Sequence, residues 1–452
     1  MYPLEAAVYG ARVLDLLADA KRHLCKKYEI EIDQPVLVEI FSRQEDFAIR
    51  TFGLPGGDGF LGVCFGNVIT ANSPASQVSN PANWQAVLWH EFCHVVTLNK
   101  TKNKMPRWLS EGISVYEEKQ QNDTWGQSMT SHYREMILGD ELVPVSQLSA
   151  AFLNPPSPMH LQFAYYESSL VVEYLIEEYG LETLQRILVD LSAGLPINES
   201  LLRYTGSLEL LDAEFSEFAK RRAESLAPEL DWEELELPSR VDSTLLARRL
   251  KQHPNNFWLL HRYALQLVTE EKWQSALTPL QRLKQLYPEN IEDDSSYHLL
   301  AAVYRKLGET ERERAVLNEL AARSADAIDA YKRLMELSES NEDWTSASKH
   351  AEQILAVNPL QPAPHRSLAR AAEQTGDEER AVEALRVLSL LNPLDPVDVH
   401  FRLARLLHKQ GELQSARRHV LMALEEAPRF RAAHRKLLEI RREIEENEEE
   451  NP

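Results

Sequence analysis

Apolar positions follow two periods along this chain, one near 3.6 residues and one near 2, and the switches between them mark out its elements. Ala6, Val8, Leu14, Leu16 and Leu17 interleave with Arg12, Asp15, Lys21 and Arg22, so residues 1–28 are expected as one amphipathic helix. Residues 35–41 (PVLVEIF) form a β-rich apolar run, and Gly59 to Thr70 (GFLGVCFGNVIT) a second. The glycine-rich stretch Gly53 to Gly59 between them is expected as a loop, because no Gly-Lys-Ser/Thr follows it and no helix opens there. Asn80 as N-cap and Pro81 at the first helical position start a helix that carries Trp84, Val87 and Leu88 to about Leu98. Residues 99–105 (NKTKNKM) are a polar connection, and a second helix follows Pro106. A third runs from Phe163 to Tyr179 and stops at Gly180, with further helical patterns over 184–191 and 208–226. Residues 227–240, acidic and bounded by prolines, are expected to link this part to the next.

Beyond residue 240 the pattern repeats. Prolines recur at 254, 288, 359, 393 and 428, spaced near the roughly 34 residues of tetratricopeptide (TPR) units or twice that. Each interval reads as two amphipathic helices, with small residues (Ala264, Ala276, Ala301, Ala347, Ala369, Ala381, Ala404, Ala416) where helices must approach. Gly308, Gly376 and Gly411 fall at turns between paired helices. Five units are expected at about 257–290, 294–326, 328–361, 362–395 and 397–430 within an array spanning 241–444. Residues 240–254 read as a half-unit cap and 429–444 as a capping helix. The acidic run 445–452 is expected to lack structure.

Composition changes this picture only at its edges. At 452 residues, 44% hydrophobic and 26% charged, the chain is long enough for two or three cores. A formal charge of −21 argues against a nucleic-acid backbone as partner. No apolar run approaches the roughly 18 residues of a membrane span. The first helix lacks the basic start, apolar centre and cleavage site of a signal peptide, so the chain reads as cytoplasmic by default, or exported if it is a fragment of a longer form. Three cysteines, Cys25, Cys64 and Cys93, make no disulfide framework, and Cys93 reads as a small buried apolar residue.

Within the helix after Pro81 lies His90-Glu91-Phe92-Cys93-His94. Residues i and i+4 are neighbours on a helix face, so His90 and His94 present two imidazoles side by side. One zinc ion needs that pair, a third ligand from elsewhere and an open position. Glu111, in Trp108-Leu109-Ser110-Glu111-Gly112 on the following helix, is the candidate third ligand. Glu91 would remain free to take a proton from the attacking water. Tyr165 and Tyr166, read from the residues alone, are packed core aromatics. Glu117 and Glu118 are candidate partners for the histidines, although two acids on a solvated helix face are the plainer reading.

The run HEFCHVVTLNKTKNKMPRWLSEGISVYEE resembles the gluzincin metallopeptidases, in particular the peptidase-MA-like domains related to aminopeptidase N. In those the third ligand sits in a Trp-Leu-Asn-Glu-Gly-Phe-Ala-like motif; Trp108, Leu109, Glu111, Gly112 and Ser114 fall at matching or similar positions, with Ser110 in place of Asn. The resemblance implies His90, His94 and Glu111 as zinc ligands and Glu91 as general base. Tyr165-Tyr166-Glu167-Ser168-Ser169 matches the family's Tyr-x-x-Gly/Ser-Ala/Ser run, which puts Tyr165 in the transition-state role, with Tyr166 as the neighbour able to usurp it. The resemblance covers about residues 1–226, and its fusion to a TPR array looks like long bacterial proteins of this type. The expected fold is an α+β zincin-like metallopeptidase domain followed by an all-α TPR solenoid, mainly α overall.

The run 59–70 is expected as the edge strand that receives an extended peptide, with Gly66, Asn67, Val68 and Ile69 as substrate contacts. The aminopeptidases that the domain resembles hold the free α-amine with a glutamate there. This run has no carboxylate after Asp58, which favours an endopeptidase. The expected partners are a peptide or protein substrate and a protein segment in the TPR groove. The alternative is an inactive peptidase fold kept as a scaffold. A different zinc-peptidase clan, with its third glutamate in Glu-x-x-Ala-Asp, is disfavoured because no such run follows His94.

Overall fold

The computed structural model describes residues 6–54, 56, 59–76, 82–238 and 241–450. Among them are 22 α-helices and one three-stranded sheet, so the protein is mainly α. The expected N-cap Asn80 and Pro81, together with Asp58, lie outside the described residues. The contacts gather into two compact units. One holds Leu16–Ser76 and Gln85–Ala325; the other holds 6–15, 82–84 and the chain from Asp326.

The first unit contains the sheet and the His-Glu motif. Helix α1 is Ala6–Lys27, closed by Lys26 and Lys27 in its last turn, where cations suit the helix dipole. Strand β1 (Leu37–Phe41) leads to α2 (Gln44–Phe52), which ends on Gly53 at φ 73, a left-handed cap that glycine adopts without strain. The run 59–70, expected as one strand, is a hairpin instead. Its arms are β2 (Gly62–Phe65) and β3 (Val68–Asn72), and Gly66 at φ 63 with Asn67 makes the two-residue turn. β3 pairs parallel with β1 and antiparallel with β2, giving the order β1-β3-β2. β3 is therefore central and buried, and among the described residues β2 is the strand with a free side.

Helix α3 (Trp84–Thr101) carries the motif and runs three residues further than expected. Left-handed Lys102 and Asn103 (φ 53 and 58) then turn the chain. Pro106, extended at φ −69 and ψ 151, starts α4 (Arg107–Gln121). After α5 (Ser131–Leu138) and the short α6 (Ser149–Leu153) comes α7 (Pro158–Tyr179). α7 begins five residues before the expected Phe163 because Ser157 accepts a hydrogen bond from the His160 amide and Pro158 suits the first turn. α4 and α7 pack at very close range at Gly112: a Cβ there would lie 2.5 Å from the Ser168 carbonyl oxygen. Helices α8 (Leu181–Ala193), α9 (Ile197–Thr205) and α10 (Leu208–Ser225) complete this part.

The segment after α10 does not run free as a linker throughout. Leu226, Ala227 and Leu230 are buried against Phe257, Leu283 and Tyr287, Asp231 bridges to Asn256, and the Arg134 guanidinium lies 4.7 Å over the Trp232 ring. Helix α11 (Ser243–Leu250), capped by Asp242, precedes two antiparallel-patterned pairs. These are α12 (Phe257–Thr269) with α13 (Trp273–Leu286), and α14 (Ser296–Leu307) with α15 (Thr310–Ala321).

The second unit continues the pattern. Its pairs are α16 (Ile328–Ser340) with α17 (Trp344–Val357), α18 (Pro362–Thr375) with α19 (Glu378–Leu390), and α20 (Pro396–Lys409) with α21 (Leu413–Glu426). Each of the five expected repeats thus holds one helix pair. The small residues are where close approach needs them: Ala347, Ala369, Ala381, Ala404 and Ala416 are fully buried. Leu385, Leu388, Leu403 and Leu407 fill the core they leave. α22 (Arg431–Glu450) caps the array and continues past Ile444, so 445–450, expected without structure, are helical; 451–452 lie outside the described residues. Residues 6–15 of α1 belong to this unit, where Arg12 pairs with Glu352 at 3.0 Å.

Candidate metal centre

α3 and α4 are joined by five residues, 102–106, so the two helices lie side by side and the motif meets the Trp-Leu-Ser-Glu-Gly run. His90 Nε2 lies 3.0 Å from His94 Nε2, and Glu111 Oε2 lies 3.3 Å from the first and 3.2 Å from the second. Ligands held about 2.0–2.1 Å from a tetrahedral zinc ion stand roughly 3.3–3.4 Å apart. The three donors therefore already span one face of such a tetrahedron. They form the one candidate metal-holding group among the described residues. The donor chemistry, two imidazole nitrogens and a carboxylate with a fourth direction left over, fits a zinc ion.

Each imidazole is held from behind through its other nitrogen. His90 Nδ1 meets Glu118 Oε1 at 2.5 Å; His94 Nδ1 meets Ser110 Oγ at 2.8 Å and Ser114 Oγ at 3.2 Å. Such partners fix ring orientation and turn both Nε2 atoms to one point. The solvated-face reading of the two acids is thus overturned. Glu118 backs His90, while Glu117 is buried and takes the Tyr28 hydroxyl at 2.6 Å and Lys27 at 2.7 Å. The spacing carried the signal: Glu118 lies seven residues, nearly two turns, after Glu111, and therefore on the same face. Ser110, the departure from the resembled motif, has a contact of its own with His94.

The electrostatics follow from this crowding. Burial opposes the charged form of His90, yet the hydrogen bonds to Glu111 and Glu118 hold its pKa well above the ordinary imidazole range. Burial likewise opposes ionisation of Glu111, but the His94 and His90 rings hold its pKa well below the usual carboxylate range. Glu91 has its pKa raised, first by burial and then, against the two histidines, by Glu111 and Glu118. Its Oε2 is buried without a hydrogen-bond partner, a costly arrangement unless a further group comes to it. Cys93 is fully buried and takes no part in the donor group.

Glu91 faces the sheet. A Cβ on Gly62 would fall 2.7 Å from Glu91 Cγ and Oε1, so β2 passes directly beside this carboxylate and a side chain there would have to displace it. The substrate contacts expected at Gly66, Asn67, Val68 and Ile69 require correction. Gly66 and Asn67 form the hairpin turn, and Val68 and Ile69 sit on a strand whose two sides are already paired, leaving no backbone groups to receive a peptide. The hairpin was missed because its turn, Gly66-Asn67, interrupts an otherwise continuous apolar run. The strand that borders Glu91 is β2.

Tyr165 lies beside the donors. Its hydroxyl accepts a hydrogen bond from Arg107 Nη2 at 2.9 Å, while Arg107 Nε donates to Glu111 Oε1 at 3.2 Å. Burial and the Glu111 charge push the Tyr165 phenol up to about 12 against the opposing pull of Arg107. Tyr166 belongs elsewhere: its ring stacks on Tyr133 at 4.8 Å and its hydroxyl reaches Met129 Sδ at 3.7 Å, in the core. Arg107 escaped the sequence reading, although its place four residues before Glu111 sets it on the same face.

Residues 20–220 match the Peptidase MA superfamily. The protein carries a peptidase-MA-like domain followed by TPR-type helix pairs. The donor triangle, its hydrogen-bond partners, Glu91, Arg107 and Tyr165 all lie inside the matched span. No curated protein sequence matches the chain. Among solved structures, YrrB, "a TPR protein with an unusual peptide-binding site", is 11% identical over 43% of this chain and 97% of its own, with a TM-score of 0.32. MamA from Desulfovibrio magneticus RS-1 is 16% identical over 38% and 96%, with a TM-score of 0.28. A thermophilic TPR protein of Thermus thermophilus is 21% identical over 40% and 96%, with a TM-score of 0.20. No described helix is long and apolar enough to cross a membrane.

Proposed function

We propose that this protein is a zinc-dependent endopeptidase of the gluzincin type, whose helix pairs recruit a protein substrate or partner. The observation that carries the reading is the triangle of His90, His94 and Glu111 donor atoms, with sides of 3.0–3.3 Å beside an unpartnered, buried Glu91 oxygen. A zinc ion bound to these three atoms would supply a Lewis acid that acidifies a water and polarises the scissile carbonyl. Glu91 is the general base: it takes the proton of the attacking water and returns it to the leaving amine. Glu118 and the two serines keep the imidazoles turned to the site. Tyr165 donates a hydrogen bond to the oxyanion that forms as the carbonyl becomes tetrahedral.

The substrate lies along β2. An extended peptide added to its free side gains backbone hydrogen bonds with little demand on sequence, and it passes Glu91 at Gly62. The run Gly59 to Thr70 offers no carboxylate to hold a free α-amine, which supports internal cleavage. Zinc content and cleavage of casein by wild type and Glu91→Gln test the proposal. A metal-loaded Glu91→Gln protein that hydrolyses casein as fast as wild type would refute it. A partner captured by His94→Ala but not by a repeat-disrupted protein would favour the scaffold instead.

A further inference from the structure

We infer that Arg107 is a positioning residue for Tyr165: it fixes the phenol's place and the direction in which it donates its hydrogen bond. The inference rests on the peptidase reading above for its functional meaning, and on contacts of the Arg107 guanidinium for its geometry. Arg107 Nη2 donates to the Tyr165 hydroxyl at 2.9 Å and Nε donates to Glu111 Oε1 at 3.2 Å. The same guanidinium lies 5.3 Å over the Phe152 ring, which in turn meets the Tyr165 ring edge-on at 5.2 Å.

The donor inventory makes this arrangement directional. A guanidinium has only donors, so the Tyr165 oxygen is the acceptor in their bond and its own O–H must point elsewhere. Glu111 divides its two oxygens in the same way: Oε2 faces both histidines, and Oε1 faces Arg107. One rigid planar group therefore ties the phenol to the carboxylate of the donor triangle and leaves the phenol proton free for a third party. A phenol that accepts a charge-assisted bond is polarised and becomes the stronger donor. The Arg107 charge also opposes the burial that raises the phenol's pKa. Lysine, with a compact ammonium on a flexible stem, does not reproduce the planar fork that spans both partners.

The test uses the full chain loaded with zinc, with zinc content measured for every variant so that a loss through Glu111 is read separately. kcat and KM are compared for wild type, Arg107→Met, Arg107→Lys, Tyr165→Phe and the Arg107→Met/Tyr165→Phe double variant. Arg107→Met is expected to lose about tenfold in kcat with little change in KM, and Arg107→Lys to recover part of that loss. In the Tyr165→Phe background the Arg107→Met loss is expected to fall below about twofold, because contacting residues that act together are not additive. Equal losses in both backgrounds overturn the inference. A second readout needs no activity: with 13Cζ-labelled tyrosine and Tyr165→Phe to assign the signal, the Tyr165 resonance at one fixed pH is expected to move in Arg107→Met. An unmoved resonance overturns the inference. If Glu91→Gln matches wild type in hydrolysis, the peptidase reading fails, and the resonance alone decides whether Arg107 holds Tyr165.

Discussion

Replacing Gly112 with alanine tests whether helix packing sets the donor triangle. The added Cβ would stand 2.5 Å from the Ser168 carbonyl oxygen, 2.7 Å from its carbon and 3.0 Å from its Cβ. Two of these three atoms are backbone, so no side-chain rotation relieves the clash. Restoring an ordinary contact near 3.4 Å requires α4 and α7 to part by about 0.9 Å at this point, in an interior packed too densely to absorb it locally. Overpacking of this kind costs about 1–3 kcal/mol, offset by the roughly 1 kcal/mol that alanine gains over glycine within a helix. Net stability should therefore fall by no more than about 2 kcal/mol.

The metal site is the more sensitive reporter. Glu111 is the residue before Gly112, and donor distances must hold to about 0.2 Å for a well-formed site. A shift several times larger is expected to weaken zinc binding by at least about tenfold, close to 1.4 kcal/mol. Titration of zinc against a chromophoric chelator measures this directly, with thermal unfolding in parallel. Gly10→Ala is the control, since Gly10 lies within α1 with nothing within 4 Å of the position its Cβ would take. It should leave zinc affinity unchanged and raise stability by up to about 1 kcal/mol. A Gly112→Ala protein with wild-type zinc affinity would refute the claim that the close α4–α7 approach places Glu111.

Glu118→Gln removes the charge behind His90 and is expected to weaken zinc affinity by about 10–100-fold, as read by the same titration; an unchanged affinity would mean that the 2.5 Å contact does not serve the site. Glu167 is buried, accepts one bond from the Val143 amide, and burial pushes its pKa from 4.5 up to about 8. Between those values the folded state binds more protons than the unfolded one, so this group's stabilising share is complete below pH 4.5 and is lost as pH rises through about 8. Glu167→Gln keeps the Val143 bond and stays neutral, so its melting temperature should exceed wild type near pH 8 and lose that advantage near pH 5; parallel curves at the two pH values would exclude the buried carboxyl as the cause. Leu403→Ala, at a fully buried position of the last repeats, should cost about 2–5 kcal/mol in chemical denaturation without altering zinc affinity.

The repeats and the donor triad were legible because each is a matter of helical period. Prolines and alanines at fixed intervals mark helix pairs whatever their surroundings, and His90, His94 and Glu111 need only two helices and a short turn. What the sequence hid depends on which neighbour each residue meets. The hairpin Gly62–Asn72 read as one strand, since a two-residue turn of glycine and asparagine barely interrupts an apolar run, and the mistake moved the open edge from β2 to β3. Glu117 and Glu118 read as solvated because adjacent acids usually are; here Tyr28 and Lys27 meet one and His90 the other. Leu226 to Trp232 read as linker because its acids dominate the pattern, while its leucines find a cleft made by Phe257 and Tyr287.

One helix emerges as the organiser of the site. At about 100° per residue, Arg107, Ser110, Glu111, Ser114 and Glu118 fall within an arc of roughly 100° on α4. That arc supplies the third donor, the hydrogen-bond partner of each imidazole, and the guanidinium that reaches Tyr165. Gly112 falls about 100° around from Glu111, on the side that meets α7. A rotation of α4 by a single residue would carry Ser110, Glu111, Ser114 and Glu118 away from the α3 histidines and Arg107 away from Tyr165 together. Substitutions of the arc residues around Glu111 should therefore each act through one contact, and a change that turns or lifts the helix, as Gly112→Ala is expected to do, should act on every contact at once.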